Sequence, residues 1–240
     1  MLVAIPSKGR VGMVKSLNVL PSGVVYVPKS EQDEYCTAYP DAVIVGVPED
    51  VRGITNTRNW ILDNTDERYV VFIDDDVTSV GYWIIGVEKK RKHMVQNTEA
   101  MLLKEWLRLF HVTDDMGYHI WGAETTGDYI SVHSHKPFVW HGYATASCMG
   151  LINDDIRFDS KYPVKEDYEL SLRCIKNDGG IVGARYLFWK NDHWVTPGGC
   201  ADYRTQEMED EAINNLIATY PGLIRRVTRG GSQYSVKLDF

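Results

Sequence analysis

The sequence has no closely spaced cysteines, no long apolar run, no internal repeat and no excess of positive charge. Cys36, Cys148, Cys174 and Cys200 are far apart and form no CxxC pair. That speaks against a disulfide framework or a thiolate zinc site, and all four are expected to be reduced core residues. No apolar stretch approaches the roughly 18 residues that a membrane span requires. The N-terminus enters Leu2-Val-Ala-Ile5 and then Pro6 without a signal-peptide layout, so a cytoplasmic protein with no membrane partner is expected. A net charge of −7 is not that of a protein that coats nucleic acid. Two local basic clusters stand against that acidity, Lys89-Lys90-Arg91-Lys92-His93 and the group Arg225, Arg226 and Arg229. With no linker and no low-complexity tract, 240 residues at 44% hydrophobic content are expected to form one domain with a well-buried core.

What is present is an alternation of short apolar runs and amphipathic segments. Leu2–Ile5, Val24–Val27, Ala42–Val45 and Tyr69–Ile73 read as strands, with helices expected over Val11–Leu20, Glu31–Tyr39 and from Thr55. Thr55 is the expected N-cap of its helix, with Trp60 and Ile61 turned inward and Arg58 in the first turn. The 77–97 segment suggests a hairpin or a mobile stretch. Thr98–Phe110 has apolar residues at helical spacing (Met101, Leu102, Trp106, Leu109, Phe110). Further strand material lies at Ile120–Ala123 and Ile181–Trp189. Helices are expected to run from Glu166 to the Gly179-Gly180 stop and over Glu207–Tyr220, with a final strand at Tyr234–Leu238. Strands that alternate with helices at short spacing predict an α/β doubly wound layout with a mostly parallel sheet.

The chemistry-bearing stretch is Tyr69-Val-Val-Phe-Ile-Asp74-Asp75-Asp76. Five apolar or aromatic residues without alternation fit a strand covered on both faces, and three carboxylates follow at its carboxyl end. Open α/β sheets bind ligands at that edge. Adjacent carboxylates repel unless a cation or strong donors compensate, and Mg²⁺ and Mn²⁺ prefer oxygen ligands shared with substrate phosphates. A metal–diphosphate site is the functional reading, and a solvated acidic turn is the plain one. Pro6-Ser7-Lys8-Gly9-Arg10 is a basic strand-to-helix turn suited to phosphate or a base edge, and Arg58 is suited to bidentate phosphate binding or to orienting a carboxylate. Glu166 and Asp167 open a helix, where acids are favoured by the dipole alone, or they supply a carboxylate base. His133 and His135 share a strand face, but no third ligand of matching type accompanies them, which disfavours zinc. Tyr143–Gly150 has small residues that would let a ligand approach the backbone, beside an expected acceptor-facing strand.

In this order the motifs resemble the nucleotide-sugar glycosyltransferases of the GT-A fold, over Leu2 to about His193. The start Pro-Ser-Lys-Gly-Arg, the segment Gly53-Ile-Thr-Asn-Thr-Arg58-Asn-Trp60 and the phrase Phe72-Ile-Asp-Asp-Asp76 look like the TET-associated glycosyltransferases. That family is linked with phages and is proposed to modify oxidised or hydroxymethylated pyrimidines in DNA. The resemblance implies a GT-A-like, Rossmann-like three-layer sandwich over 1–240, with a nucleotide-sugar-binding half over about 1–97. An acceptor-binding half with a C-terminal extension follows over about 98–240. It implies that Pro6, Lys8, Arg10, Arg58, Asp74 and Asp75 line the pocket of a UDP-sugar. Asp76 would be the principal ligand of Mn²⁺ or Mg²⁺, with Asp74 and His193 completing the set. Asp167, with Glu166 beside it, would be the catalytic base of an inverting transfer to 5-hydroxymethylcytosine or a related hypermodified base in DNA, and retention stays open. A polysaccharide, lipid or protein hydroxyl as acceptor shares every donor-side residue. A non-catalytic nucleotide- or carbohydrate-binding module would more naturally have lost the acids, and the Gly-rich loop usual in nucleotidyltransferases is not evident.

Overall fold

The computed structural model describes residues 1–85, 92–96, 98–123, 136–191, 204–229 and 232–239. In the first part the chain runs β1 (Leu2–Pro6), β2 (Val24–Pro28), α1 (Gln32–Ala38), β3 (Val43–Val47), α2 (Ile54–Asp63), β4 (Tyr69–Ile73), β5 (Val77–Ile85) and β6 (Lys92–Gln96). It continues through α3 (Glu99–Asp115), β7 (Ile120–Ala123), β8 (Phe138–Val139), β9 (Cys148–Ile152), α4 (Glu166–Asp178), β10 (Val182–Ala184) and β11 (Leu187–Asn191). α5 (Gln206–Thr219), β12 (Ile224–Arg229) and β13 (Ser232–Leu238) complete it.

Eight strands form the central sheet in the order β3-β2-β1-β4-β9-β7-β10-β8. Pairing is parallel from β3 through β4 and between β7 and β10, whereas β9 and β8 run against their neighbours. Alternate residues of each strand serve opposite faces. Val3, Ile5, Val71 and Ile73 join Tyr35 of α1 and Leu102, Trp106, Leu109 and Phe110 of α3 in one core. Ala4, Val70 and Phe72 join Ile61 and Leu62 of α2 and Leu170, Cys174 and Ile175 of α4 in the other. The result is the expected three-layer α/β sandwich with a mostly parallel centre. β11, β5 and β6 form a second sheet, so 77–97 includes the anticipated hairpin. A third core ties Tyr162, Val164 and Leu172 to Ala212, Leu216, Tyr220 and Ile224.

Some expectations change. The 11–20 segment is not an α-helix but a turn followed by a short 3-10 helix at Lys15–Asn18. Gly12 has φ +74°, and the Lys15 and Ser16 N–H groups donate to the Asp75 carbonyl at 2.8 and 3.2 Å instead of to a preceding helical turn. Phosphate binding at a helix N-terminus there is therefore removed. Gly53, at φ +82°, occupies the N-cap of α2, and Thr55 lies inside the helix with its hydroxyl donating to the Tyr162 carbonyl. Arg58 thus sits two residues further in, and Trp60 is only partly buried, edge-on to Tyr26. Met101 is exposed, as is Cys36, whereas Cys148 and Cys174 are buried and Cys200 lies outside the described residues. The small residues of 143–150 serve internal packing. A Cβ on Gly150 would lie 2.0 Å from the Trp121 ring, and Gly122 meets Ala144 in the same way.

Candidate active site

β1 is the strand where chain order reverses, with β2 on one side and β4 on the other. A crevice forms beyond the carboxyl ends of strands at such a switch point. Ser7 and Asp74–Asp76 emerge there side by side because β1 and β4 pair in parallel register. The three acids then diverge. Asp75 turns into the fold, where the Ser7 hydroxyl donates to it at 2.5 Å and the Arg10 guanidinium pairs with it. Tyr35 is fully buried beneath this knot; its hydroxyl lies 2.9 Å from Ser7 Oγ and accepts from the Arg10 N–H. Side-chain exposure is 4% for Asp75, 8% for Asp76 and 28% for Asp74, so Asp74 is the most open of the three. Asp76 lies 4.0 Å from Arg10. Asp75, expected in the nucleotide pocket, is held inward as a latch between β1 and the acidic turn.

A second set of acids comes from the start of α4. Arg58, only 3% exposed, pairs with Glu166 through Nη1 and with Asp74 through Nη2 at 3.3 Å. Phe72 and Phe158 flank its guanidinium, with ring centres at 5.8 and 5.6 Å. Burying a guanidinium costs several kcal/mol unless carboxylates and polarisable rings compensate, and both do so here. Arg58 therefore joins the two acid clusters, the carboxylate-orienting task that its residue type allowed beside phosphate binding. Antiparallel β9 contributes the residue before its first position: the Ser147 hydroxyl donates to Asp74, and the Asp74 N–H donates to the Ser147 carbonyl at 3.3 Å. Asp167 Oδ2 accepts from the Tyr143 hydroxyl and, at 3.3 Å, from the Ala146 N–H, while Oδ1 accepts from the Tyr168 N–H at 2.9 Å. Residues 143–147 thus reach both clusters.

The Arg10 guanidinium pairs with Asp75 and Asp76 and that of Arg58 with Asp74 and Glu166, while Asp167 follows Glu166 directly. The crowding and burial of these acids show in proton affinity. Burial, and then the charge of Asp167, raise Glu166 to about 7 against the pull of Arg58. Burial raises Asp75 to about 6, with Asp74 adding to the rise and Ser7 and Arg10 opposing it. Burial disfavours the Arg10 charge, but Asp75, Asp76 and Asp74 hold its pKa above the ordinary value. Burial and Asp167 push the Tyr143 phenol well up, which keeps it a hydrogen-bond donor.

Pro6 is the buried last residue of β1, and Lys8 is exposed just beyond it. Among the described residues no three His, Cys, Asp or Glu side chains converge on one cation position. Asp74 and Asp76 place carboxylate oxygens at this edge, the ligand type that a hard divalent ion combines with phosphates and water. His193, His133 and His135 lie outside the described residues, as do Lys89, Lys90 and Arg91. Of the C-terminal basic group, Arg225 pairs with Asp239 at 2.6 Å, and Arg226 pairs with Asp210 at 2.5 Å and reaches Asn214 at 3.2 Å. Those two arginines are neutralised within the chain and are not a free track for phosphates. Ser147, Tyr35 and Tyr143 carry no local signal in the sequence. Ser7 stood in the quoted turn without a role.

A family model described as TET-associated glycosyltransferase matches residues 1–197. The beta-glucosyl-HMC-alpha-glucosyl-transferases of Enterobacteria phages T2 and T6 are each 37% identical over 238 residues, spanning 90% of this chain and 80% of theirs. Glucosyl-3-phosphoglycerate synthase from Mycobacterium tuberculosis, solved with Mn²⁺, UDP and glucosyl-3-phosphoglycerate, has a similar fold. The TM-score is 0.54 at 13% identity, covering 94% of this chain and 83% of that one. A mannosyltransferase from Pyrobaculum calidifontis, solved with GDP-Man and Mn²⁺, gives a TM-score of 0.50 at 13% identity, over 76% of this chain and 53% of that one. At such identities these two structures speak to the fold, which is that of the GT-A glycosyltransferases.

Proposed function

We propose, from the premise that the chain belongs to the TET-associated glycosyltransferase family and is a glycosyltransferase, that it draws its sugar from a nucleotide-sugar, most simply a UDP-sugar. The acceptor is a hydroxyl on a hydroxymethylated pyrimidine of DNA or on a sugar already attached to that base. The names of the two phage relatives, at 37% identity over 90% of the chain, support this acceptor class. The observation that carries the reading is the meeting of the Asp74–Asp76 turn with Glu166 and Asp167 at the switch point, bridged by Arg58.

In this reading Pro6 and Lys8 border the nucleotide, Lys8 being free to reach phosphate. Asp76 and Asp74 hold Mn²⁺ or Mg²⁺, with His193 as a third ligand. A bound cation supplies charge neutralisation for the leaving diphosphate. The chain's own groups do the rest. Arg10 and Ser7 keep Asp75 inward, so that the outer two acids stay oriented. Asp167 takes the acceptor hydroxyl's proton. Tyr143, Ala146 and Tyr168 hold its carboxylate still, and Oδ1, with one hydrogen bond, retains capacity for that hydroxyl. The segment over about 1–97 serves the donor, and 98–240 serves the acceptor. Attack opposite the leaving group inverts the anomeric centre. A second reading, retention, is favoured by the relatives' names, which specify an alpha-glucosyl product, since an α-linked donor would then keep its configuration. The acidic chain and the pairing of Arg225 and Arg226 fit a short local contact with DNA rather than tracking along it.

The test is a donor screen with Mn²⁺ and a panel of nucleotide sugars. It is run against unmodified DNA, hydroxymethylcytosine DNA and β-glucosylated hydroxymethylcytosine DNA, following nucleoside diphosphate release, product mass and product anomer. Release that depends on a modified DNA, with one hexose added to it, is expected. Release indifferent to DNA, or transfer only to a polysaccharide or protein hydroxyl, contradicts the acceptor assignment.

A further inference from the structure

Lys165 is the one non-glycine residue with positive φ among the described residues, at φ +59° and ψ +26°, and it is the N-cap of α4. A left-handed backbone is disfavoured for a residue with a Cβ, and it persists where the surroundings enforce it. Here the next two residues are Glu166 and Asp167. The Lys165 ammonium forms an ion pair with Glu209 of α5 at 2.8 Å, and Glu209 is buried and also meets Arg204 at 3.1 Å. The same ammonium lies 5.4 Å from the Tyr168 ring, which stacks on Tyr143 at 4.0 Å between centroids. Tyr143 in turn donates to Asp167. α5 lies beyond the 1–197 stretch that the family model matches.

We infer that Glu209 is a positioning residue for sugar transfer, holding Lys165 in its left-handed conformation so that α4 begins with Asp167 correctly aimed. The inference rests on the proposed function. It assigns the C-terminal α5 a part in the reaction, through the turn that launches α4 rather than through any contact with substrate.

Substitutions at Lys165 separate backbone from side chain. Alanine loses the ion pair and still pays for positive φ, whereas glycine loses the ion pair but adopts that φ freely. Lys165→Ala and Glu209→Gln are expected to lower kcat about tenfold with donor KM unchanged, a cost comparable to one misplaced left-handed residue. Lys165→Gly stays within about twofold of wild type, and the double variant Lys165→Gly/Glu209→Gln matches Lys165→Gly. Amide exchange in the first turn of α4 follows the same order, faster in the alanine and glutamine variants and unchanged in the glycine variant. Equal impairment of Lys165→Gly and Lys165→Ala, or a Glu209→Gln loss that glycine does not rescue, overturns the inference. Failure of the wild-type protein to transfer any sugar defeats the proposed function instead, and the exchange pattern then decides this inference alone.

Discussion

Asp74–Asp76 and Glu166–Asp167 end on one edge of the sheet, but the chain brings them there by different means. The first cluster is fixed locally. An apolar strand stops at three acids, its parallel neighbour β1 delivers Ser7 and Arg10 alongside, and the middle carboxylate is knotted down. The second is fixed at a distance, by a left-handed Lys165, by a phenol from 143 and by a helix near the C-terminus. Arg58 forms ion pairs with both clusters. The lesson is that one acid cluster can rest on sheet register, whereas the other depends on tertiary contacts made far along the chain.

If the division holds, damage to each cluster has its own signature. Asp76→Ala, which removes the last acid of the turn, should cut turnover by on the order of 10³-fold or more at saturating Mn²⁺, measured as nucleoside diphosphate release. Asp167→Asn should lower kcat by roughly 10²–10⁴-fold while the nucleotide-sugar binds with unchanged affinity, because proton acceptance is lost and the donor edge is intact. Near-normal turnover in that variant would place the base elsewhere.

Arg58→Met strikes both clusters. Removing one partner of a buried pair costs about 3–5 kcal/mol, so a fall of roughly 10 °C in Tm is expected by calorimetry. Stability also carries a pH signature. Glu166 has its pKa raised in the fold to about 7, so the folded state binds more protons than the unfolded one up to that pH. Its contribution is therefore present at low pH and is lost as pH rises from about 4.5 to about 7. Over that window Glu166→Gln should lose this decline in Tm, on the order of a few degrees. The smallest effect belongs to Ser147→Ala, which deletes one hydrogen bond to the partly exposed Asp74 and should cost about 1 kcal/mol in denaturant melts.

The same contrast explains how much was legible in the sequence. The β4 run and its three acids could be read directly, because a doubly covered strand and a strand-end carboxylate are local patterns. Glu166 and Asp167 were legible as a pair at a helix start. Their neighbours were not: Tyr143, Ser147 and Glu209 act across 24 to 73 residues of chain, a distance no periodicity reports. Arg58 could be read by residue type as a phosphate ligand or a carboxylate partner, and only the fold shows that Asp74 and Glu166 are the carboxylates it pairs with, between Phe72 and Phe158. The 11–20 segment had adequate helix formers, but Gly12 and the Asp75 carbonyl drew its N–H groups into a different turn. Arg225 and Arg226 stood out in the sequence as a local basic cluster, but their partners Asp239 and Asp210 could be identified only in the fold.

The central claim is that the outer acids of the turn hold a divalent cation against a nucleoside diphosphate. Calorimetric titration of UDP into the wild-type protein and Asp76→Ala, with and without Mn²⁺, addresses it most directly. Binding should strengthen markedly with Mn²⁺ in the wild type and be indifferent to it in the variant. Equal UDP affinity in all four titrations, or an Mn²⁺ effect that survives loss of Asp76, would contradict the account.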